Sequence, residues 1–359
     1  MILNSKAGVA VIAAASLLFS VTGIAVAGAT TKTTITIYEA TGYAADEIKA
    51  FNTQMGYTAV KDYTDSTGPL LAKVAAETNN PQWNLLWVDG AEAFAFLDKK
   101  KQLDPYTPKG DFNDLGKSLF PVDHGYVPLG ASVMGLALYN AETVKNVPAT
   151  YTDLLKPEFK GKIGMNNPAV SGPTFPFIAG MFDQIGGKNS KTAAGVAANI
   201  TAGEAFLKQL KTTNGIVVND RNGPTTHAFE IGNISIALIQ STAALNEINK
   251  LAKTPIPGVT PKIAFLTKPN LVTNVIGIGA SGSSSQRQLA KKFVDFILSP
   301  AGQTVATNSS DSDSFFWPIT TYAKPKSFVP ELPDYHLANP YAWGPQQPAV
   351  DDWFLQNIK

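Results

Sequence analysis

Between Thr33 and Lys99 the chain runs three times through the same order, a stretch that suits a strand and then one that suits a helix. Thr33 to Tyr38 (TTITIY) alternates threonine with isoleucine and tyrosine, the two-residue period of a strand. It stops at Glu39-Ala40-Thr41-Gly42-Tyr43, and Asp46 to Met55 then reads as a helix. Tyr57 to Tyr63 is a second strand, followed by a helix from Pro69 to Thr78 with Leu70, Leu71, Val74 and Ala75 on one face. Asn84 to Val88 (NLLWV) is a third, buried strand, and Ala91 to Lys99 its helix. Alternation of this kind restricts the fold to a parallel sheet with helical crossovers. Such sheets gather ligands at the carboxyl ends of their strands. The polar turns 39–43, 64–68 and 89–90 all fall at those ends.

The pattern changes after residue 100. Tyr126 to Tyr139 (YVPLGASVMGLALY) is apolar, extended and too often broken by glycine for one helix, so it suits a strand leaving one lobe for another. A second βα series follows. It has a short helix at Thr152 to Phe159, a strand at Gly161 to Met165, a helix over 175–185, another at Thr201 to Leu210 and a strand at Ile216 to Asn219. A helix over 226–231 and the buried strand Ile234 to Ile239 complete it. Lys262 to Ile278 crosses back, Gln286 to Leu298 is an amphipathic helix, and the Pro-, Trp- and Tyr-rich tail from Phe315 reads as irregular.

Residues 1–27 read as a cleaved export signal. Lys6 supplies the positive start, Ala7 to Val21 the apolar stretch, and Ala25-Val26-Ala27 the small-x-small site. The mature chain is expected from Gly28, outside the cytoplasm and in the periplasm. About 330 residues then remain, more than one ordinary core, so two lobes are expected. A net charge of +1 gives no basic face for nucleic acid, and the absence of cysteine excludes disulfides, thiolate catalysis and Cys-based zinc sites. His124, His227 and His336 stand far apart without metal-ligand spacing, and no cofactor is implied.

Four stretches carry a family resemblance. They are Thr67 to Glu77 with Asn80-Pro81-Gln82 behind it, Phe159 to Met165 leading to Pro168 and Ser171-Gly172, Phe229 to Asn233 with Ile236-Ala237-Leu238, and Ala290 to Gln303. In that order and spacing they resemble the extracellular solute-binding proteins of ABC importers, in the group that takes ferric ion, polyamines, thiamine and phosphonates. The resemblance implies an α/β, two-lobed, type II periplasmic-binding-protein fold. Each lobe would be a central, mostly parallel sheet flanked by helices, with two crossover strands as the hinge. The expected lobes are 28–133 with 272–359, and 134–271. It also implies a small solute held between the lobes of a monomer and delivered to an inner-membrane permease, without catalysis. Ferric-binding members place a tyrosine pair just after the strand corresponding to Ile234 to Ile239. Here those positions read Gln240-Ser241-Thr242, which speaks against iron because a serine hydroxyl does not replace phenolate as a ligand.

The strand-end loops supply the candidate ligand-binding residues. Ser66-Thr67-Gly68 and Ser171-Gly172-Pro173-Thr174 each stand where a strand gives way to a helix, where hydroxyls and backbone N–H groups hold phosphate, phosphonate or carboxylate. Simple helix capping explains the same residues. Arg221, with Thr225 behind it, offers a guanidinium to an anionic oxygen pair; pairing with Asp220 is the alternative. Glu39, Tyr43 and Asp89 are placed to meet an ammonium at the other end of a zwitterion, with helix capping the competing role for Asp89, and Thr41 is a further ligand-binding candidate in the same loop as Glu39. Ser241 and Thr242 complete the set. Trp87 and Trp317 read chiefly as packing residues. A secreted enzyme is the reading from another class, but no GxSxG, SxxK or HExxH pattern is legible.

Overall fold

The alternating threonines and isoleucines do form a strand, β1 (Ile35–Glu39), with Ile35 and Ile37 buried. The computed structural model describes residues 32–359, so the expected signal at 1–27 lies outside the described residues. The first series continues with α1 (Ala44–Met55), β2 (Val60–Thr64), α2 (Thr67–Ala76), β3 (Leu85–Asp89) and α3 (Ala91–Lys99). The short α4 (Asp114–Leu119) precedes the long strand β4 (Val127–Asn140). The second series is β5 (Ile163–Asn166), α5 (Thr174–Gly186), α6 (Ala193–Asn214), β6 (Val217–Asn219), α7 (Asn222–Glu230), β7 (Ile236–Ile239) and α8 (Ser241–Lys253). Then come β8 (Pro261–Ile278), α9 (Ser284–Ile297), α10 (Pro300–Asn308), β9 (Trp317–Pro318), α11 (Pro340–Trp343) and α12 (Gln347–Asn357).

The strands lie in the order β2-β1-β3-β8-β4-β7-β5-β6, with β9 against β4. β1, β2 and β3 are mutually parallel, and so are β5, β6 and β7. Between the two parallel sets run β4 and β8, antiparallel to each other from Val127↔Ile276 to Asn140↔Pro261. One end of this ribbon pairs with β3 through Asn274–Ile278, the other with β7 through Leu136–Tyr139. Its register shifts between Pro128 and Gly130 and again between Met134 and Leu136, and Gly135 has a φ of 89°. A left-handed residue in mid-strand is where a ribbon can bend without straining a side chain. The two crossover strands thus join a first lobe, built on β1–β3, to a second, built on β5–β7.

Three departures from the expected elements have local causes. Helix α6 starts eight residues before Thr201, on an alanine- and glycine-rich turn without an apolar stripe, and is capped by the Thr192 hydroxyl accepting from the Gly195 amide at 3.1 Å. The stretch 152–159 is not one helix but two 3-10 turns, divided before Pro157. The tail is irregular only between β9 and α11. Pro340 and Pro348 sit in the first turns of α11 and α12, where a missing N–H costs nothing. Val350 and Phe354, four residues apart, bury one face of α12. That face packs with Trp343 into the cluster containing Phe159, Phe182, Leu207 and Leu210. Helix α12, expected with the first lobe, therefore has its apolar face in the core of the second.

Candidate functional site

The carboxyl ends of β1, β2 and β3 face the starts of α5 and α7 across a cavity of about 540 Å³. Of the residues expected at the site, Glu39, Thr41, Ser66, Thr67, Asp89, Ser171, Gly172 and Arg221 line it. Asp65, Asn222, Gln240 and Asp313 join them.

The first-lobe wall is acidic, and its carboxylates are held by short local bonds. Glu39 is buried and accepts from the Thr41 amide at 2.9 Å and from the Thr64 hydroxyl. Burial raises its pKa, and those two bonds oppose the rise. The Asp65 carboxylate accepts from the Ser66 amide at 2.7 Å. Asp89 does not cap α3, where Gly90 is the N-cap and no side chain bonds to it. Instead one Asp89 oxygen accepts from Asn274 Nδ2 at 2.9 Å and the other from Gln240 Nε2 at 3.0 Å. Its pKa is raised by burial, against the pull of both amides. Asp313 accepts from the Gly42 amide at 2.8 Å and is pushed up to about 7, by burial first and then by the Asp89 charge.

The second-lobe wall is built on an amide. Asn166, the last residue of β5, donates to Asn222 Oδ1 at 2.7 Å and to Ser171 Oγ at 3.3 Å, and accepts from the Thr225 hydroxyl at 2.7 Å. One buried side chain thus ties the starts of α5 and α7 together. Arg221 is exposed at the N-cap of α7 and is the one basic residue on the cavity wall among the described residues. Its sequence neighbour Asp220 makes its ion pair with Lys359 instead and also accepts from Asn167 at 3.3 Å. The Ser66 hydroxyl makes no capping bond to α2, and the N-cap of α5 is Pro173, so neither Ser66 nor Ser171 is a side-chain cap.

Six expected residues do not line the cavity. Tyr43 is buried, with its hydroxyl 3.4 Å from Asn274 Oδ1 and its ring against Trp87 and Phe316. Gly68 lies just outside, its amide bonded to the Val170 carbonyl of the other lobe at 3.1 Å. Thr225 is buried under Asn166, and the Ser241 hydroxyl accepts from the Val133 amide at 3.1 Å. Thr174 and Thr242 are buried in α5 and α8. Trp87 donates to Asn274 at 2.6 Å beneath the site, and Trp317 to the Pro330 carbonyl at 2.9 Å, away from it. Asn274 and Asp313 escaped the sequence reading. Asn274 is a single amide inside the apolar run 271–278, a signal in principle, whereas Asp313 sits in a polar turn with nothing to mark it.

Comparison with known proteins places this geometry. The model of the bacterial extracellular solute-binding proteins matches residues 47–336. The chain belongs to that family. A relative from Salmonella paratyphi A, provisionally named a 2-aminoethylphosphonate-binding periplasmic protein, is 25% identical over 301 residues, 80% of each chain. Among solved structures, the periplasmic binding protein AfuA from Actinobacillus pleuropneumoniae, with exogenous fructose-6-phosphate bound, aligns at a TM-score of 0.70 and 18% identity. That alignment covers 91% of this chain and 99% of AfuA. A ferric binding protein from Campylobacter jejuni gives the same TM-score and identity over 90% of this chain and 98% of its own. The fold is the two-lobed type II periplasmic-binding-protein fold. Proteins of this family bind small solutes and serve ABC permeases; family and fold are those of binding proteins, not enzymes. No helix among the described residues is long and apolar enough to cross a membrane.

Proposed function

We propose that this binding protein captures a small zwitterionic or anionic solute of the aminophosphonate or phosphate-ester type and delivers it, as a periplasmic monomer, to its permease. The observation that carries the reading is the polarity of the cavity. Arg221 and the starts of α5 and α7 offer positive charge and N–H donors that have no partner within their own helices. Glu39, Asp65, Asp89 and Asp313 stand opposite, suited to an ammonium. A phosphonate and an amine two carbons apart fit such a divided site, and the name of the Salmonella relative agrees.

The excess of carboxylates favours a polyamine as the second reading, but no aromatic side chain lines the cavity among the described residues to cover a polymethylene chain. Iron is disfavoured for a related reason, since no tyrosine hydroxyl reaches the wall. The lobe boundaries remain 28–133 with 272–359, and 134–271, in this proposal, with α12 strapped onto the second lobe. A thermal-shift screen over 2-aminoethylphosphonate, phosphate esters, spermidine, thiamine and ferric ion tests the function. A specific ligand at 100 times its Kd adds about 2.7 kcal/mol of stability. The largest shift is expected for 2-aminoethylphosphonate; a largest shift for spermidine or ferric ion would refute the reading.

A further inference from the structure

Asp89 and Gln240 belong to different lobes, at the ends of β3 and β7, and meet on the floor of the cleft at 3.0 Å. The Gln240 amide nitrogen uses its other hydrogen on Ser132 Oγ, 2.7 Å away on the crossover strand β4. The second Asp89 oxygen is held by Asn274 on the other crossover strand β8, and Asn274 is fixed in turn by Trp87 and by Thr41, whose hydroxyl accepts at 3.0 Å. A chain of side-chain hydrogen bonds therefore runs from first-lobe Thr41 and Trp87, through both hinge strands, to the second lobe. Ser132 and Asn274, which pairs opposite Gly130, lie on the first-lobe side of the bend at Gly135. The two bonds of the Gln240 amide, to Asp89 and to Ser132, are the links of this chain that opening must break.

We infer that Gln240 is a positioning residue for closure, a latch whose amide engages the Asp89 carboxylate each time the lobes come together. The inference rests on the reading that solute binds between the lobes, but not on the identity of the solute. Both partners are protein groups, so the bond favours closure with or without solute. Position 240 needs a donor. A carboxylate at position 240 would face Asp89 at hydrogen-bond distance, and two carboxylates that close cannot both stay ionised. Gln240→Glu therefore converts the latch into a proton-dependent one. The double variant Asp89→Asn with Gln240→Glu restores one carboxylate and one amide with the lobes exchanged.

The absence of cysteine allows a spin label on each lobe, at the exposed positions Lys49 and Thr201, and electron–electron distances then report the closed population. Each variant is measured with and without 10 mM 2-aminoethylphosphonate at pH 8 and pH 5. Charged groups near the pair are Glu39 after β1, Asp65 after β2, Asp313 after α10 and Arg221 at the start of α7. All are present in the native chain, which serves as the control at each pH. Gln240→Glu is expected to lose at least fivefold of the closed population at pH 8 and to recover most of it at pH 5. Without solute, the double variant should close at pH 8 like the native protein. A native chain indifferent to 2-aminoethylphosphonate would remove the proposed ligand, and the distributions without ligand would then decide the latch alone. Equal closure of Gln240→Glu and native protein at pH 8 overturns the latch. So does a loss that neither acid nor the exchanged pair restores, or a native chain with no closed population in either condition.

Discussion

The Gly68 amide donates to the Val170 carbonyl across the mouth of the cleft at 3.1 Å, and no larger residue could stand at 68 with the lobes so placed. A Cβ there would lie 1.9 Å from the Ala169 carbonyl oxygen, a backbone atom that cannot swing aside. Gly172 makes the matching approach from the second lobe, where a Cβ would meet Thr67 Oγ1 at 2.3 Å. The two glycines let the helix starts come together around a solute.

Gly68→Ala should therefore weaken solute binding by at least about tenfold, roughly 1.4 kcal/mol, because the closed form must shift to relieve the clash. The open protein should lose nothing. Position 68 lies in the first turn of α2, and replacing glycine in a helix by alanine favours the helix by about 0.5–1 kcal/mol. Calorimetric titration and thermal unfolding of the same variant check both halves.

Arg221→Ala should cost about 1.5–3 kcal/mol of affinity, as expected for a charge-assisted bond, with little change in unfolding temperature because the side chain is exposed. Ser171→Ala should cost about 1 kcal/mol of affinity. Thr225→Ala should show the reverse pattern. Its hydroxyl holds Asn166 from below, so stability falls first and affinity follows only through Asn222 and Ser171. Titrations paired with denaturant unfolding separate the three.

Asp313 gives binding a pH dependence. Its carboxyl is pushed up to about 7, so it is half protonated near neutrality and fully ionised only above. An ammonium ligand binds the ionised form, so affinity should fall as pH drops through about 7, by up to about tenfold per pH unit. Asp313→Asn should bind more weakly at pH 8 and lose the slope between pH 6 and 8. Titrations at four pH values would show it.

Glu47, buried on α1, governs stability rather than binding. Burial pushes its carboxyl up to about 9, so the folded protein holds it neutral while the unfolded chain ionises near pH 4.5. A raised acid pKa means that the unfolded state binds fewer protons between those values, and stability falls as pH rises from about 4.5 toward 9. Glu47→Gln removes this cost. It should raise unfolding free energy at pH 8 by roughly 1–3 kcal/mol and change it little at pH 4, as read by urea denaturation.

Much of the fold was legible because its elements carry their own periodicity. Helix α3 was read to the residue from Ala91 to Lys99, since Gly90 and the apolar face bound it on both sides. Helix α6 was cut short because its first turns, Ala193 to Ile200, are helical by propensity and packing rather than by pattern. Helix α8 is hidden in the sequence because Gln240-Ser241-Thr242 reads as the end of a strand and is also the start of a helix. Strand-end logic brings Glu39, Asp89, Ser171 and Arg221 to the cavity wall, since their places follow from chain order alone. It could not find Asp313 or the link from Asp89 to Gln240, which exist only once residues about 150 and more positions apart are folded together.

In the proposed function the two poles of the cavity are read together by one solute. Isothermal titration of 2-aminoethylphosphonate against its two halves, ethylphosphonate and ethylamine, tests it most directly. The zwitterion should bind at least about tenfold tighter than either half, one charge-assisted contact being worth about 1.5–3 kcal/mol. Arg221→Ala should lower affinity for the phosphonates while leaving that for ethylamine unchanged. Ethylamine binding as tightly as the zwitterion, or a phosphonate affinity indifferent to Arg221, would contradict the proposed function.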